Sequence, residues 1–216
     1  ILLMYMKYAV DSLGASASMV GLIFLVAKLW DAVSDPAVGY LSDRTTHRLG
    51  RRRIWMFASA PLLCGFGIML WAPPGALDGA WLSGWIAISV VGFYTAYTCF
   101  EVPHMALGAE ITLDRQERNR VFGTRQVMRT LGMFAAGTLG VLLVQQGRVE
   151  AAWMATTVGV ATVVLIVGGL AMLPSESADF MGRGGDNPSR AVRDVATNPH
   201  ARLLLFVFFI ESIGSG

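Results

Sequence analysis

The sequence predicts an all-helical protein that crosses a membrane several times, and three observations carry that prediction. Of 216 residues, 54% are hydrophobic and 15% charged, with a mean hydropathy of +0.54, too apolar a balance for a soluble domain of this size. The apolar residues gather into runs of about 20, the helix length that crosses a hydrocarbon core about 30 Å thick. Most of the Arg residues fall between the runs, on alternate loops.

Taken in order, the first run, 1–10, amounts to only about 15 Å of helix, so a span entered part-way is expected. It has neither an initiator methionine nor the form of a signal peptide. Five runs reach spanning length: 19–41, 54–71, 81–107, 121–145 and 151–173. Two of them, 54–71 and 151–173, contain no charged residue, which separates them from the buried helices of a soluble core. Segments 72–79, with Pro73, Pro74 and Gly75, and 146–150 are short and turn-like. Segment 174–202 is polar, carries Gly and Ser, and is expected to be a flexible linker. From Leu203 a further apolar helix begins. The expected organisation is a transmembrane bundle over 1–173 whose first helix is incomplete, a linker over 174–202, and the start of a seventh helix over 203–216, with both ends of the chain falling inside helices.

Orientation follows from the basic residues. Segment 43–53 holds Arg44, Arg48, Arg51, Arg52 and Arg53; 114–120 holds Arg115, Arg118 and Arg120; the linker holds Arg183, Arg190, Arg193 and Arg202. The opposite loops, 11–18, 72–79 and 146–150, hold Arg148 alone, so both basic loops and the linker are expected in the cytoplasm of a multi-pass protein of the cell membrane.

Several function classes lose support. A net charge of +2, with the basic residues in short clusters, makes no nucleic-acid-binding face. Cys64 and Cys99 lie inside apolar runs, as small hydrophobes rather than a disulfide or metal pair. No nucleophile–base pair, His/Cys metal cluster or Gly-rich phosphate loop is visible, so neither catalysis nor a cofactor is expected.

The informative residues are charges within the spans. Lys28, Asp31 and Asp35 are spaced three and four apart, which puts them on one helix face, and Asp31 and Asp35 lie about 18 and 24 Å along the helix from Met19. Each costs about 2.5–3.5 kcal/mol to insert, so each must face a cavity or a partner. A Lys28–Asp31 pair that only locks helices together is the alternative, and it leaves Asp35 without a partner. Pro36 follows Asp35 and withholds the backbone donor from the carbonyl of Ala32. The fourth helix repeats the pattern with Thr98, Glu101 and Pro103, which frees the carbonyl of Cys99. Carboxylate, hydroxyl and carbonyl oxygens are what a hard monovalent cation needs in place of water, although a proline alone is more often an ordinary kink.

On the next helix, Arg125 and Arg129 share a face. Two readings stand: both snorkel to the headgroups, or Arg125 turns inwards to Glu101 or to an oxygen-rich substrate. Tyr94, Tyr97 and Trp30 form either a stacking surface or simple packing, and His104 either titrates near neutral pH or fills the kink.

The run Lys28-Leu-Trp-Asp31-Ala-Val-Ser-Asp35-Pro36, followed by Gly39-Tyr-Leu-Ser-Asp43-Arg44 and Gly50-Arg51-Arg52-Arg53, resembles the glycoside–pentoside–hexuronide:cation symporter family, the melibiose-permease type of major facilitator. Thr98-Cys-Phe-Glu101-Val-Pro103, then Asp114-Arg-Gln-Glu117-Arg118 and Arg125, extend the resemblance along essentially the whole chain. The resemblance implies a major facilitator fold of twelve helices, with this chain supplying most of the N-terminal six-helix bundle and the start of helix 7. It also implies that Asp31, Asp35 and Thr98 bind the coupling cation, that Glu101 serves both cation and substrate, and that Arg125 reaches the substrate. With sodium as the ion, Asp31, Asp35 and Glu101 are the metal-binding carboxylates this implies. Two positions depart from the family's sugar carriers: Met105 stands where they place a tryptophan against the sugar ring, and Glu101 is one methylene longer than their usual Asp. With Met105, Tyr97 is expected to complete the substrate side, while Asp43, Arg44, Arg51 and Arg52 form a conformational loop that substrate does not touch.

The expected function is symport of a sugar or glycoside with Na+ or H+ by alternating access, in a protein that is monomeric at full length. Its expected partners are a small-molecule substrate and the lipid bilayer, with no nucleic acid and no cofactor beyond the coupling ion. The alternatives are transport of a lysolipid-like or other amphipathic anion on a similar cation site, and a polytopic membrane protein that transports nothing.

Overall fold

The computed structural model describes residues 2–111, 114–145, 147–173, 197–199 and 203. Two compact units are distinguished, Ile1–Met181 and Gly182–Gly216, and the description below concerns the first. The predicted linker and seventh helix lie outside the described residues, apart from 197–199 and Leu203.

Among the described residues the regular structure is helical: α1 (Leu2–Asp11), α2 (Ala17–Arg44), α3 (Arg53–Trp71), α4 (Gly79–Glu110), α5 (Arg115–Gln145) and α6 (Arg148–Met172). Four of them, α2, α3, α4 and α6, are long and apolar enough to cross a membrane. The helices run past the apolar runs that announce them, since α2 continues to Arg44 and α4 to Glu110. The largest difference is α5, predicted over 121–145 and found from Arg115. Its first turns are rich in Arg, a good helix former, so the helix continues where the hydropathy signal stops.

α3 packs between α4 and α6, α2 packs on α4, and α1 touches α2 and α5, while α5 is the most loosely held. The main core gathers Tyr5, Tyr8, Trp71, Leu82, Ile86 and Val90. The Tyr8 hydroxyl donates to the Trp71 carbonyl at 3.3 Å, and the two rings lie 4.9 Å apart. A smaller core of Met56, Leu107 and Leu170 closes the other end of α3, α4 and α6. Two glycines permit the close crossings. A Cβ at Gly92 of α4 would stand 2.3 Å from the Phe66 ring of α3, and one at Gly159 of α6 would stand 2.9 Å from Cys64 Sγ of α3. Large apolar side chains point outwards, Leu29 and Val33 at 63% exposure and Leu165 at 75%, as in a bundle surrounded by lipid.

Candidate functional site

The contact of α2 with α4 brings three of the predicted residues together. Thr98 Oγ1, buried in α4, lies 2.8 Å from Asp31 Oδ1 and 3.0 Å from Asp35 Oδ1. A hydroxyl has one proton and so donates to only one of these oxygens at a time. The other carboxylate faces a lone pair at hydrogen-bonding distance, and a cation or a second proton placed there relieves the repulsion. Lys28 is a weak counter-charge, since its Nζ lies 3.8 Å from Asp31 Oδ2 on a side chain 65% exposed and also stands 5.1 Å over the Tyr94 ring. Among the described residues no cation lies within ion-pair distance of Asp35. Pro36 and Pro103 both lie inside continuous helices next to this cluster.

Glu101, one turn beyond Thr98 on α4, belongs to a second, charge-compensated cluster. Arg125 reaches inwards from α5 and donates to Glu101 Oε1, which decides between the two sequence readings of that arginine; Arg129 stays exposed. Among the described residues no three His, Cys, Asp or Glu groups converge as a metal site. Tyr97 and Met105 flank Glu101 at spacings of four and are each 40% exposed, on the open face of α4. Trp30 donates to Thr95 Oγ1 at 2.9 Å, which ties α2 to α4. Tyr97 also lines a cavity of about 380 Å³ bordered by apolar side chains of five helices, among them Leu63, Phe93, Leu139 and Val158.

The basic loop makes a network of its own. Arg51 and Arg52, both buried, converge on Glu110 Oε1 at 2.6 and 2.9 Å, and Arg52 also donates to Asp43 Oδ1 at 2.7 Å. Arg44 takes a different place, 4.1 Å over the ring of Tyr40. Arg53 donates to the carbonyls of Leu170 and, at 3.2 Å, Leu173, which caps the end of α6.

The whole chain, residues 1–216, matches the family described as MFS/sugar transport protein. The chain belongs to that family. Among similar proteins, sodium-dependent lysophosphatidylcholine symporter 1-B of Danio rerio is 37% identical over 114 residues, 51% of this chain and 21% of that protein. The inner membrane symporter YicJ of Escherichia coli is 34% identical over 61% of this chain and 28% of its own length, and the isoprimeverose transporter of Lactiplantibacillus pentosus is 30% identical over 64% and 29%. The chain spans about a quarter of the length of these curated relatives. Membership of this transport family and four helices apolar enough to span describe a multi-pass membrane protein of the major facilitator type.

Within this family member, sequence reasoning missed Glu110. An acid at the end of a span is usually solvated, and only the approach of α4 to the start of α3 makes it the hub of two arginines. The available signal was three consecutive arginines, more than Asp43 alone can compensate. It also left open His104, whose Nδ1 is found 4.0 Å from Glu101 Oε2.

Proposed function

We propose that this chain is part of a cation-coupled symporter of the cell membrane, with Asp31, Asp35 and Thr98 holding the coupling ion and Glu101, Arg125, Tyr97 and Met105 facing the substrate. The observation that carries the proposal is the Thr98 hydroxyl shared by two carboxylates, a cluster one positive charge short of balance. Sodium is the ion the oxygen donor set favours, with a proton competing for the same carboxylates. Binding of the ion holds α2 and α4 in one geometry where Asp31 and Asp35 meet Thr98. A substrate that takes up Arg125 and Glu101 only in that geometry binds more tightly once the ion is present, and linkage makes the gain mutual, typically about 1–3 kcal/mol. Inward movement of one positive charge adds about 2.3 kcal/mol for each 100 mV of membrane potential, which drives accumulation.

The first substrate class is a sugar or glycoside, whose hydroxyls suit the Glu101–Arg125 pair. A second reading, a lysolipid-like substrate, is favoured by the apolar cavity of about 380 Å³ that shares Tyr97 with the polar face: a head at Arg125 and an alkyl chain behind it fit that division. The test is uptake by the intact protein of radiolabelled melibiose, a pentoside and lysophosphatidylcholine, with and without sodium. Sodium-stimulated uptake of one class is the expected result. No uptake of any of them would favour the non-transporting alternative.

A further inference from the structure

His104 is a titratable side chain beside Glu101 whose place the proposed function leaves unexplained. It lies three residues beyond Glu101 on α4. Its ring stacks on Phe100, one turn back, with centroids 5.4 Å apart and planes 20° from parallel, which holds the plane of the imidazole. Nδ1 is shielded from solvent and, among the described residues, has no hydrogen-bond partner, an unusual state for a buried polar atom. Glu101 Oε2 lies 4.0 Å away, too far for a hydrogen bond, while Oε1 is occupied by Arg125. A side-chain rotation of about 1 Å closes that gap to hydrogen-bonding distance.

We propose that His104 is a positioning residue that takes hold of Glu101 through Nδ1–H when Arg125 turns from Glu101 to the substrate. The inference rests on the reading above that Arg125 meets substrate. Its physical ground is the cost of the exchange: withdrawing Arg125 leaves a carboxylate uncompensated in a low-dielectric bundle, and a pre-aimed donor offsets that cost. The charged groups facing the ring are Glu101 on its own helix and Arg125 from α5. The sole charge of α3, Arg53, is engaged at Leu170 and Leu173, and α2 directs Asp31 and Asp35 to Thr98. No proton need be taken up, because a neutral imidazole already carries one N–H and the neighbouring carboxylate selects Nδ1 for it.

The test separates this exchange from transport itself. In the intact protein with ¹⁵N-labelled histidine, Arg125→Gln, and independently Arg125→Met, should show a hydrogen-bonded Nδ1–H at His104. That signal should be absent from the wild type and from Arg125→Gln combined with Glu101→Leu, which has no acceptor. The same His104 spectrum in all of them would overturn the proposal, whether or not the protein transports. With Arg125 intact, His104→Asn places an amide N–H near Nδ1 and should retain uptake of the labelled melibiose or lysophosphatidylcholine, whereas His104→Gln, which reaches the Nε2 position, should cut it roughly tenfold, the value of a hydrogen bond to a charged group. Equal effects of Asn and Gln would also overturn it.

Discussion

Arg125 of α5 donates to Glu101 of α4, which gives Glu101 a guanidinium partner that Asp31 and Asp35 lack among the described residues. Glu101 is compensated before any ligand arrives, whereas Asp31 and Asp35 are joined only by the hydroxyl of Thr98. On the proposed function, a substrate competes with this existing ion pair, whereas a cation at Asp31 and Asp35 meets only the longer 3.8 Å contact from Lys28.

The first prediction concerns that pair. Arg125→Lys keeps the charge and loses the forked donor geometry, so substrate affinity should fall roughly tenfold, the scale of a charge-assisted hydrogen bond. Sodium affinity should stay within about twofold, since Arg125 is not part of the Asp31–Asp35 cluster. Equilibrium binding of both ligands checks this, and an equal loss for the two would merge the sites.

Glu110 supplies the second. Arg51 and Arg52 are buried against it, so Glu110→Gln takes the shared carboxylate from two buried guanidinium groups, at a cost of about 3–5 kcal/mol for breaking a buried ion pair. The melting temperature of the purified protein should drop by several degrees. Asp43→Asn, at the rim of the same network, should slow transport while leaving substrate affinity nearly unchanged, and a large affinity loss at unaltered turnover would contradict that role.

Helix packing gives the third. Gly92→Ala forces a methyl into the Phe66 ring and should cost about 1–3 kcal/mol as an overpacked crossing. Gly132→Ala, where a Cβ meets nothing within 4 Å, should be neutral or slightly stabilising. Thermal unfolding of the two variants side by side makes the comparison, and equal stability would refute the close α3–α4 crossing.

Topology is the fourth. With Cys64 and Cys99 replaced, a cysteine placed in 72–79 should react with an impermeant reagent from outside, and one placed in 182–189 should not. The reverse pattern would invert the orientation argued from the arginines.

Most of the bundle, and the placement of part of the candidate site, were legible in the sequence. Asp31 and Asp35 announced a shared face because an acid inside a span is costly at any position, and Thr98 followed from its place beside Glu101 and Pro103. What the sequence left open depends on approach between distant segments. The inward turn of Arg125 required knowing that α5 comes near α4, and the role of Glu110 required the start of α3 to meet the end of α4, 58 and 59 residues apart. The contact of Arg44 with the Tyr40 ring, one turn back along α2, was likewise not legible in the sequence. The start of α5 was missed because hydropathy reports burial in lipid, and arginine-rich turns at the membrane surface are helical without it.

The central claim is that two carboxylates and one hydroxyl form the coupling site, and sodium dependence of substrate binding in variants of those three residues tests it most directly. Asp35→Asn and Thr98→Val should each abolish the stimulation of binding by sodium while sparing some exchange of substrate down its gradient, and Thr98→Ser, which keeps the hydroxyl, should retain it. Full sodium stimulation surviving in the Asp31→Asn, Asp35→Asn double variant would show that these acids are structural and that the coupling ion binds elsewhere.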